Sequence, residues 1–391
     1  MNALSGRGTI LLLALAQAFY SCSILIVFST ASLVGLTIAP DRSFATLPIT
    51  TFVIGAMVST VPASFLMQRY GRKPVFLIGA ASAMVGSSLA VWAIFHSSFY
   101  MFCAATLLQG VFQATSSFNT FAATEAAKPE DKSLSISWVL TGGVVAAILG
   151  SFIARHTAHL YDPFTFAGSY GAAAVLSLFA SIAIFSMNLP MPQASEISGP
   201  QRAWPELLRQ KRLVAAMAAA IISYGLMNLM MTAAPVAMHD CGFTNDDGSF
   251  VIQWHVLGMF VPSFFTGLLI KRFGVNLITS IGLGILITAG IAALLGITFG
   301  HFVVALVLLG IGWNFGFIGG TTMLTECYTP SERAKVQGVN NFLIAALQTV
   351  TSLASGAMLT HWGWASVPLA VMPIAAVILV LVFTSRKSVA A

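Results

Sequence analysis

The chain has 391 residues, of which 57% are apolar and only 8% are Asp, Glu, Lys or Arg, against roughly 25% charged in a typical soluble protein. So few charges cannot coat a water-facing surface, which excludes a soluble multidomain protein and points to an integral membrane protein. The formal net charge of +6 is then read as membrane topology and attraction to anionic lipid, not as nucleic-acid binding.

A bilayer core about 30 Å thick needs about 20 apolar residues per helical span. Runs of that kind fall near 9–38, 46–67, 75–95, 99–123, 134–156, 165–188, 213–238, 249–270, 277–298, 302–325, 339–360 and 366–385. The first is too long for a signal-peptide core and lacks a small-residue cleavage site, so it is read as a retained helix. Sixteen of the 18 Lys and Arg residues fall on one side of this pattern, and only Arg42 and Arg155 on the other. Positive charge collects in cytoplasmic loops, which places both termini in the cytoplasm. The expected fold class is all-α integral membrane, with twelve transmembrane helices in two pseudo-symmetric six-helix bundles. Residues 1–188 form the N-terminal bundle and 213–391 the C-terminal one. The Pro- and Gly-containing stretch 189–212 joins them as a cytoplasmic linker.

The halves repeat each other. Arg69-Tyr70-Gly71 follows the second span and Arg272-Phe273-Gly274 the eighth, 203 residues later. Thr124-Glu125-x-x-x-Pro129 ends the fourth span and Thr325-Glu326-x-x-x-Pro330 the tenth, 201 residues later. Two matches at nearly one offset indicate a duplicated six-helix unit. The run Ser64 to Lys73, with Arg69, Gly71, Arg72 and Lys73, resembles the signature loop between the second and third helices of the major facilitator superfamily. It departs from that signature at Ser64, where the family has glycine, and at Gln68, where it has an acidic residue; Lys271 fills the equivalent slot in the second half. The resemblance implies alternating access around a central cavity. Glu125 and Glu326 are expected to partner the basic loops and control closure.

No Asp or Glu lies in the middle of any span, which argues against proton symport through a buried carboxylate. No Lys or Arg lies there either, which argues against a permanently anionic substrate. Of seven histidines, only His255 lies well inside a span. Met227 and Met231 are four apart on the seventh span, as are His255 and Met259 on the eighth, so each pair occupies one helical face. With the seventh span running outward and the eighth inward, Met231 and His255 lie about 9–10 Å below the outer ends of their helices, and Met227 and Met259 about 15–16 Å. Pro235 is expected to kink the seventh span near Met231. Thioethers and an imidazole without a carboxylate suit a soft monovalent ion such as Cu(I). Methionine is also ordinary filler in apolar cores, and a lone histidine often serves as a packing hydrogen bond.

The MxxxM and HxxxM motifs resemble those of the CcoA-like copper importers within the same superfamily, a group that also includes riboflavin importers. The resemblance implies Met227, Met231, His255 and Met259 as ligands. It implies copper as the transported substrate rather than a cofactor, delivered as the ion or on a small carrier. It further implies residence in the bacterial inner membrane and hand-over to cytoplasmic copper-handling proteins of haem–copper oxidase assembly. Cys241, beside His239 in the outward loop, is expected either to receive copper ahead of the Met/His site or, unpaired in an oxidising compartment, to form a mixed disulfide. The alternative cargo is riboflavin or a similar neutral organic solute, which needs aromatic faces and amides. Trp254, Gln253, Asn228, Trp313, Asn314 and Gln113 supply them on helices that line the superfamily's cavity, although such residues also join helices to one another. No nucleophile or acid–base constellation of an enzyme appears in the spans.

Overall fold

The computed structural model describes residues 3–41, 44, 47–189, 191 and 199–385. Arg42, Arg386, Lys387 and linker residues 192–198 lie outside the described residues. Every regular element among the described residues is helical. In chain order these are α1 (Ala3–Ile38), α2 (Leu47–Tyr70), α3 (Arg72–Phe95), α4 (Phe99–Ser116), α5 (Asn119–Ala126), α6 (Lys132–Val145), α7 (Ser151–Thr157), α8 (Ala167–Phe185) and α9 (Trp204–Leu208). They continue with α10 (Lys211–Asp240), α11 (Asn245–Phe260), α12 (Ser263–Phe273), α13 (Val275–Leu294), α14 (Phe299–Leu324), α15 (Arg333–Trp362) and α16 (Ser366–Thr384). Among the described residues eleven helical stretches are long and apolar enough to cross a membrane. The remaining expected span, 99–123, is interrupted at Ser117–Phe118 between α4 and α5.

Where the helices break is a matter of local chemistry. At the fourth span the amides of Ser117 and Phe118 bond the carbonyls of Gln113 and Thr115, and the Ser117 carbonyl accepts from Asn341 Nδ2 at 3.3 Å. The eighth span splits at Val261–Pro262, because proline has no N–H to carry the ladder onward. There the Thr266 hydroxyl donates to the Pro262 carbonyl at 2.8 Å. By contrast α10 continues from Lys211 to Asp240 with Pro235 inside it. Within the expected linker, α9 opens with Pro205 in its first turn, a position where a missing N–H costs nothing.

The chain divides into two compact units. The first comprises Met1–Ala127, Trp138–Gly199 and Arg333–Phe342; the second comprises Lys128–Ser137, Pro200–Glu332 and Leu343–Ala391. They therefore differ from two contiguous halves by two short segments, the starts of α6 and α15.

Lipid gives helices no hydrophobic reason to associate, so close approach at small residues has to hold each unit together. In the first unit a Cβ on Gly110 of α4 would sit 2.2 Å from the Phe52 carbonyl oxygen of α2, and one on Gly55 would sit 2.2 Å from that of Leu107. In the second unit a Cβ on Gly310 of α14 would sit 2.5 Å from the His255 carbonyl oxygen of α11, and one on Gly258 2.8 Å from that of Val307. Gly316 and Gly320 of α14 press equally closely on Ser223 and Ala220 of α10. Thus α14 is wedged against both α10 and α11, which carry the Met and His residues.

The duplicated Arg-aromatic-Gly motif has a shared backbone role. Gly71 (φ 85°) and Gly274 (φ 87°) each turn the chain from one helix directly into the next, a left-handed conformation that costs an L-residue about 1 kcal/mol or more. A Cβ on Gly274 would meet nothing within 4 Å, so Gly274→Ala isolates the backbone strain. We expect that substitution to lower the apparent melting temperature in detergent by a few degrees. An unchanged melting temperature would mean that the turn has no need of glycine.

Candidate functional site

In the second unit His255 is fully buried. Its Nδ1 lies 2.7 Å from the Leu306 carbonyl oxygen. That oxygen can only accept, so Nδ1 carries the proton and Nε2 presents a lone pair. Nε2 has no hydrogen-bond partner among the described residues. One turn on, Met259 is also buried, and its carbonyl accepts from Asn314 Nδ2 at 2.6 Å. Met227 is 2% exposed and lies one turn beyond Ser223, on the face of α10 that abuts Gly316. Met231 is half-buried. Both motif pairs therefore sit on helices that press on α14, and within each pair one residue is held by that packing.

The expected organic-site residues of this unit separate into two groups. Trp313, 1% exposed, is the centre of an aromatic cluster. It stacks on Phe317 (centroids 5.2 Å apart, 6° between planes) and meets Tyr224 and Phe260 edge-on at 5.3 and 5.8 Å. Its Nε1 has no hydrogen-bond partner among the described residues. Asn314 and Asn228 are helix joints. The first bonds Met259, Ser263 and Thr266, and the second donates to the Gln348 carbonyl and the Thr351 hydroxyl. Gln253 and Trp254 point outward, Trp254 being 46% exposed against Phe250. Phe250, Trp254, Val261, Phe265 and Leu268 form one exposed stripe at helical spacing.

A second polar group lies in the first unit, around the break in the fourth span. Gln17 Oε1 accepts from Asn119 Nδ2 at 2.9 Å, and Gln17 Nε2 donates to Ser21 Oγ at 3.3 Å. The Tyr20 hydroxyl donates to Gln113 Oε1, while its ring meets Phe112 edge-on at 5.1 Å. Asn341 donates to Ser117 Oγ at 3.0 Å. Gln113 and Gln17 are half-buried and so still reachable. The polar residues of the first and fourth spans are visible in the sequence; which amide ends they use on one another is not.

At the basic ends of the helices the carboxylates are paired. Arg72 grips Glu125 with two bonds, Nε to Oε2 at 2.7 Å and Nη2 to Oε1 at 2.5 Å. Arg333 approaches the same carboxylate at 3.0 Å, and Arg72 also reaches Gln337. The second-half counterpart differs. Val275 stands where an arginine equivalent to Arg72 would be, and Glu326 pairs instead with Arg212 at 2.7 Å. Lys271, in the family's acidic slot, bonds Asp131 at 2.7 Å. Arg202 from the linker grips Glu332 at 2.6 and 2.5 Å. Arg69, Arg272 and Lys73 lie over the rings of Tyr70, Phe273 and Phe185 at 5.1–5.4 Å. Glu125 and Glu326 thus have the basic partners expected of them. Arg333, Gln337, Arg202 and Asp131 were not foreseen, because their partners lie 100 or more residues away in sequence.

His239 and Cys241 are exposed at the end of α10. Among the described residues no group of three or more His, Cys, Asp or Glu side chains is arranged to hold a metal.

An all-helical, duplicated chain with uncharged polar clusters inside its spans and ion pairs at their ends is a membrane transporter. The sequence profile of the Major Facilitator Superfamily matches residues 11–244 and 216–390, and the chain belongs to that superfamily. Over 383 residues it is 42% identical to the riboflavin transporter RfnT of Brucella anthropi, covering 97% of this chain and 96% of that one. It is 27% identical over 369 residues to the uncharacterized MFS-type transporter YdeG of Bacillus subtilis, covering 90% and 85%. Among solved structures it resembles the transporter FucP in its outward conformation (TM-score 0.78, 14% identity, 97% and 98% coverage). It also resembles the proton:xylose symporter XylE (TM-score 0.79, 11% identity, 98% and 96% coverage). At such identities the structural likeness is one of fold.

Burial pushes the Glu125 carboxyl up, but the charges of Arg72 and Arg333 outweigh it and hold the group below its ordinary value of 4.5. A lowered carboxylate stabilises the fold above its unfolded value and loses that contribution as pH falls toward the folded one. Stability in detergent should therefore decline below about pH 4.5. Glu125→Gln should flatten that acid limb and cost on the order of 3 kcal/mol at neutral pH, because two arginines lose their partner. Melting curves of both proteins between pH 3 and 8 check this, and identical acid limbs would refute it.

Proposed function

We propose that the protein imports riboflavin, or a closely similar uncharged flavin-like solute, across a bacterial inner membrane, with both termini in the cytoplasm. The observation that carries this reading is identity of 42% along nearly the whole chain to a protein named as a riboflavin transporter. The interior chemistry agrees with it. Half-buried Gln113 beside Tyr20 in the first unit offers neutral hydrogen bonds, and half-buried Tyr224 and Phe317 around Trp313 in the second offer aromatic faces. Mid-span positions carry no charge, which suits a neutral solute.

Copper import, the cargo implied by the MxxxM and HxxxM motifs, rests on one specific observation. His255 donates its Nδ1–H to a backbone carbonyl, which is how metal-ligating histidines are commonly fixed, and leaves Nε2 without a partner. Met227, Met231 and Met259 would complete that ligand set, and the exposed Cys241 and His239 would receive the ion first. No comparison with a known protein supports this cargo, so we rank it second.

Expression in a riboflavin-auxotrophic bacterium decides between them. Wild type should restore growth on low external riboflavin and accumulate the radiolabelled vitamin. His255→Ala and Met227→Ala, matched for membrane abundance, should retain riboflavin uptake within about twofold, since neither thioether nor imidazole is asked to bind a flavin. Copper uptake present in wild type and lost in both variants, with no riboflavin uptake in any, would reverse the ranking.

A further inference from the structure

We propose that Gln113 is a specificity-determining residue, whose side-chain amide pairs with the imide edge of the transported solute, and that Tyr20 positions it. The inference rests on the flavin reading and deepens it.

Most amides within the spans are spent on holding helices together. Gln109, one turn before Gln113, has its Nε2 on Ser87 Oγ at 2.8 Å and its Oε1 unpartnered among the described residues, but it is 3% exposed and closed to a solute. Gln17 is tied to Asn119 and Ser21, Asn341 to Ser117, and Asn314 to three groups around the eighth span. Gln113 is used differently. Its Oε1 accepts from the Tyr20 hydroxyl, and Nε2 lies at the other end of the amide. Nε2 then has no hydrogen-bond partner among the described residues, and the side chain is only half-buried. Tyr20 itself is held by its edge-on packing against Phe112, the residue beside Gln113, so the orientation of the amide is fixed before any solute arrives.

The chemistry left over is defined. A carbonyl oxygen has two lone pairs, and Tyr20 occupies one; Nε2 has two hydrogens. One lone pair and one N–H in cis relation form a two-bond pair with any group that carries C=O and N–H side by side. The pyrimidinedione edge of an isoalloxazine is such a group, with N3–H flanked by carbonyls. Position agrees as well. Gln113 lies 14 residues into α4 (Phe99–Ser116), about 21 Å along the helix at 1.5 Å per residue and so deep in the bilayer. A neutral amide meeting a neutral imide there needs no buried charge.

The test uses the full-length protein in cells and two ligands, riboflavin and 3-methylriboflavin, in which N3–H is replaced by N–CH3. In wild type the methylated analogue should compete for radiolabelled riboflavin uptake about tenfold more weakly than riboflavin itself. Gln113→Leu should raise KM for riboflavin about tenfold and bring the two ligands close to parity. Gln113→Glu, which keeps an acceptor but removes the donor, should also raise KM, and covers the case in which the leucine variant fails to reach the membrane. Tyr20→Phe should raise KM only a few-fold while retaining the preference, as a positioning role requires. Equal competition by both ligands in wild type, or unchanged selectivity in the Gln113 variants, would overturn the subsite while leaving the flavin reading intact. Wild type that takes up no riboflavin would overturn both.

Discussion

Inside a bilayer nothing outside the chain can satisfy a polar group, and almost every feature of this protein follows from that constraint. The backbone is therefore helical through almost all of the described spans. At Ser117–Phe118 the Ser117 carbonyl accepts from Asn341; at Val261–Pro262 the Pro262 carbonyl keeps its bond from the Thr266 amide and accepts the Thr266 hydroxyl as well. The same constraint sorts the side chains. Amides in the interior bond one another, hydroxyls or backbone, and charged groups are confined to helix ends, where water and opposite charges are within reach.

Glycine complements this polar economy. With lipid tails as apolar as leucine, helices adhere through close packing and hydrogen bonds rather than through escape from water. The flat faces at Gly55 and Gly110 in one unit, and at Gly258, Gly310, Gly316 and Gly320 in the other, bring backbones close enough for side-chain bonds to cross. The His255 bond to Leu306 and the Asn314 bonds to Met259 and Ser263 all lie along the seam where Gly258 and Gly310 meet. Packing and polar pairing are thus one arrangement, and it holds the residues on which both cargo readings depend.

Duplication supplied the frame, and divergence supplied the differences between halves. Gly71 and Gly274 keep the same turn because no other residue tolerates that backbone at low cost. The ion pairs at the basic ends were free to change, since an arginine from any nearby segment can meet a carboxylate. Glu125 takes Arg72 and Arg333, whereas its counterpart Glu326 takes Arg212. Lys271 pairs with Asp131, and the linker residue Arg202 with Glu332. The loop departs from its family pattern at Gln68 and Lys271, yet the carboxylates beside it remain paired.

The amino-acid sequence alone determined the class of protein. Too few charges, apolar runs of bilayer length and a repeat at 201–203 residues leave little besides a duplicated helical membrane protein, because hydropathy and spacing are properties of the chain itself. It also marked the turn glycines, the acidic residues at helix ends and the span polar groups. Tertiary structure decided what those groups do. Asn314 and Asn228 spend their amides on neighbouring helices; Trp254 is exposed beside Phe250; Pro235 sits inside a continuous helix while Pro262 lies at a break in another. A side chain's free donor or lone pair depends on what a distant helix has already claimed. For Gln113 that claim is made by Tyr20, 93 residues away, and for His255 by Leu306, 51 residues away. Neither distance leaves a trace in local sequence pattern.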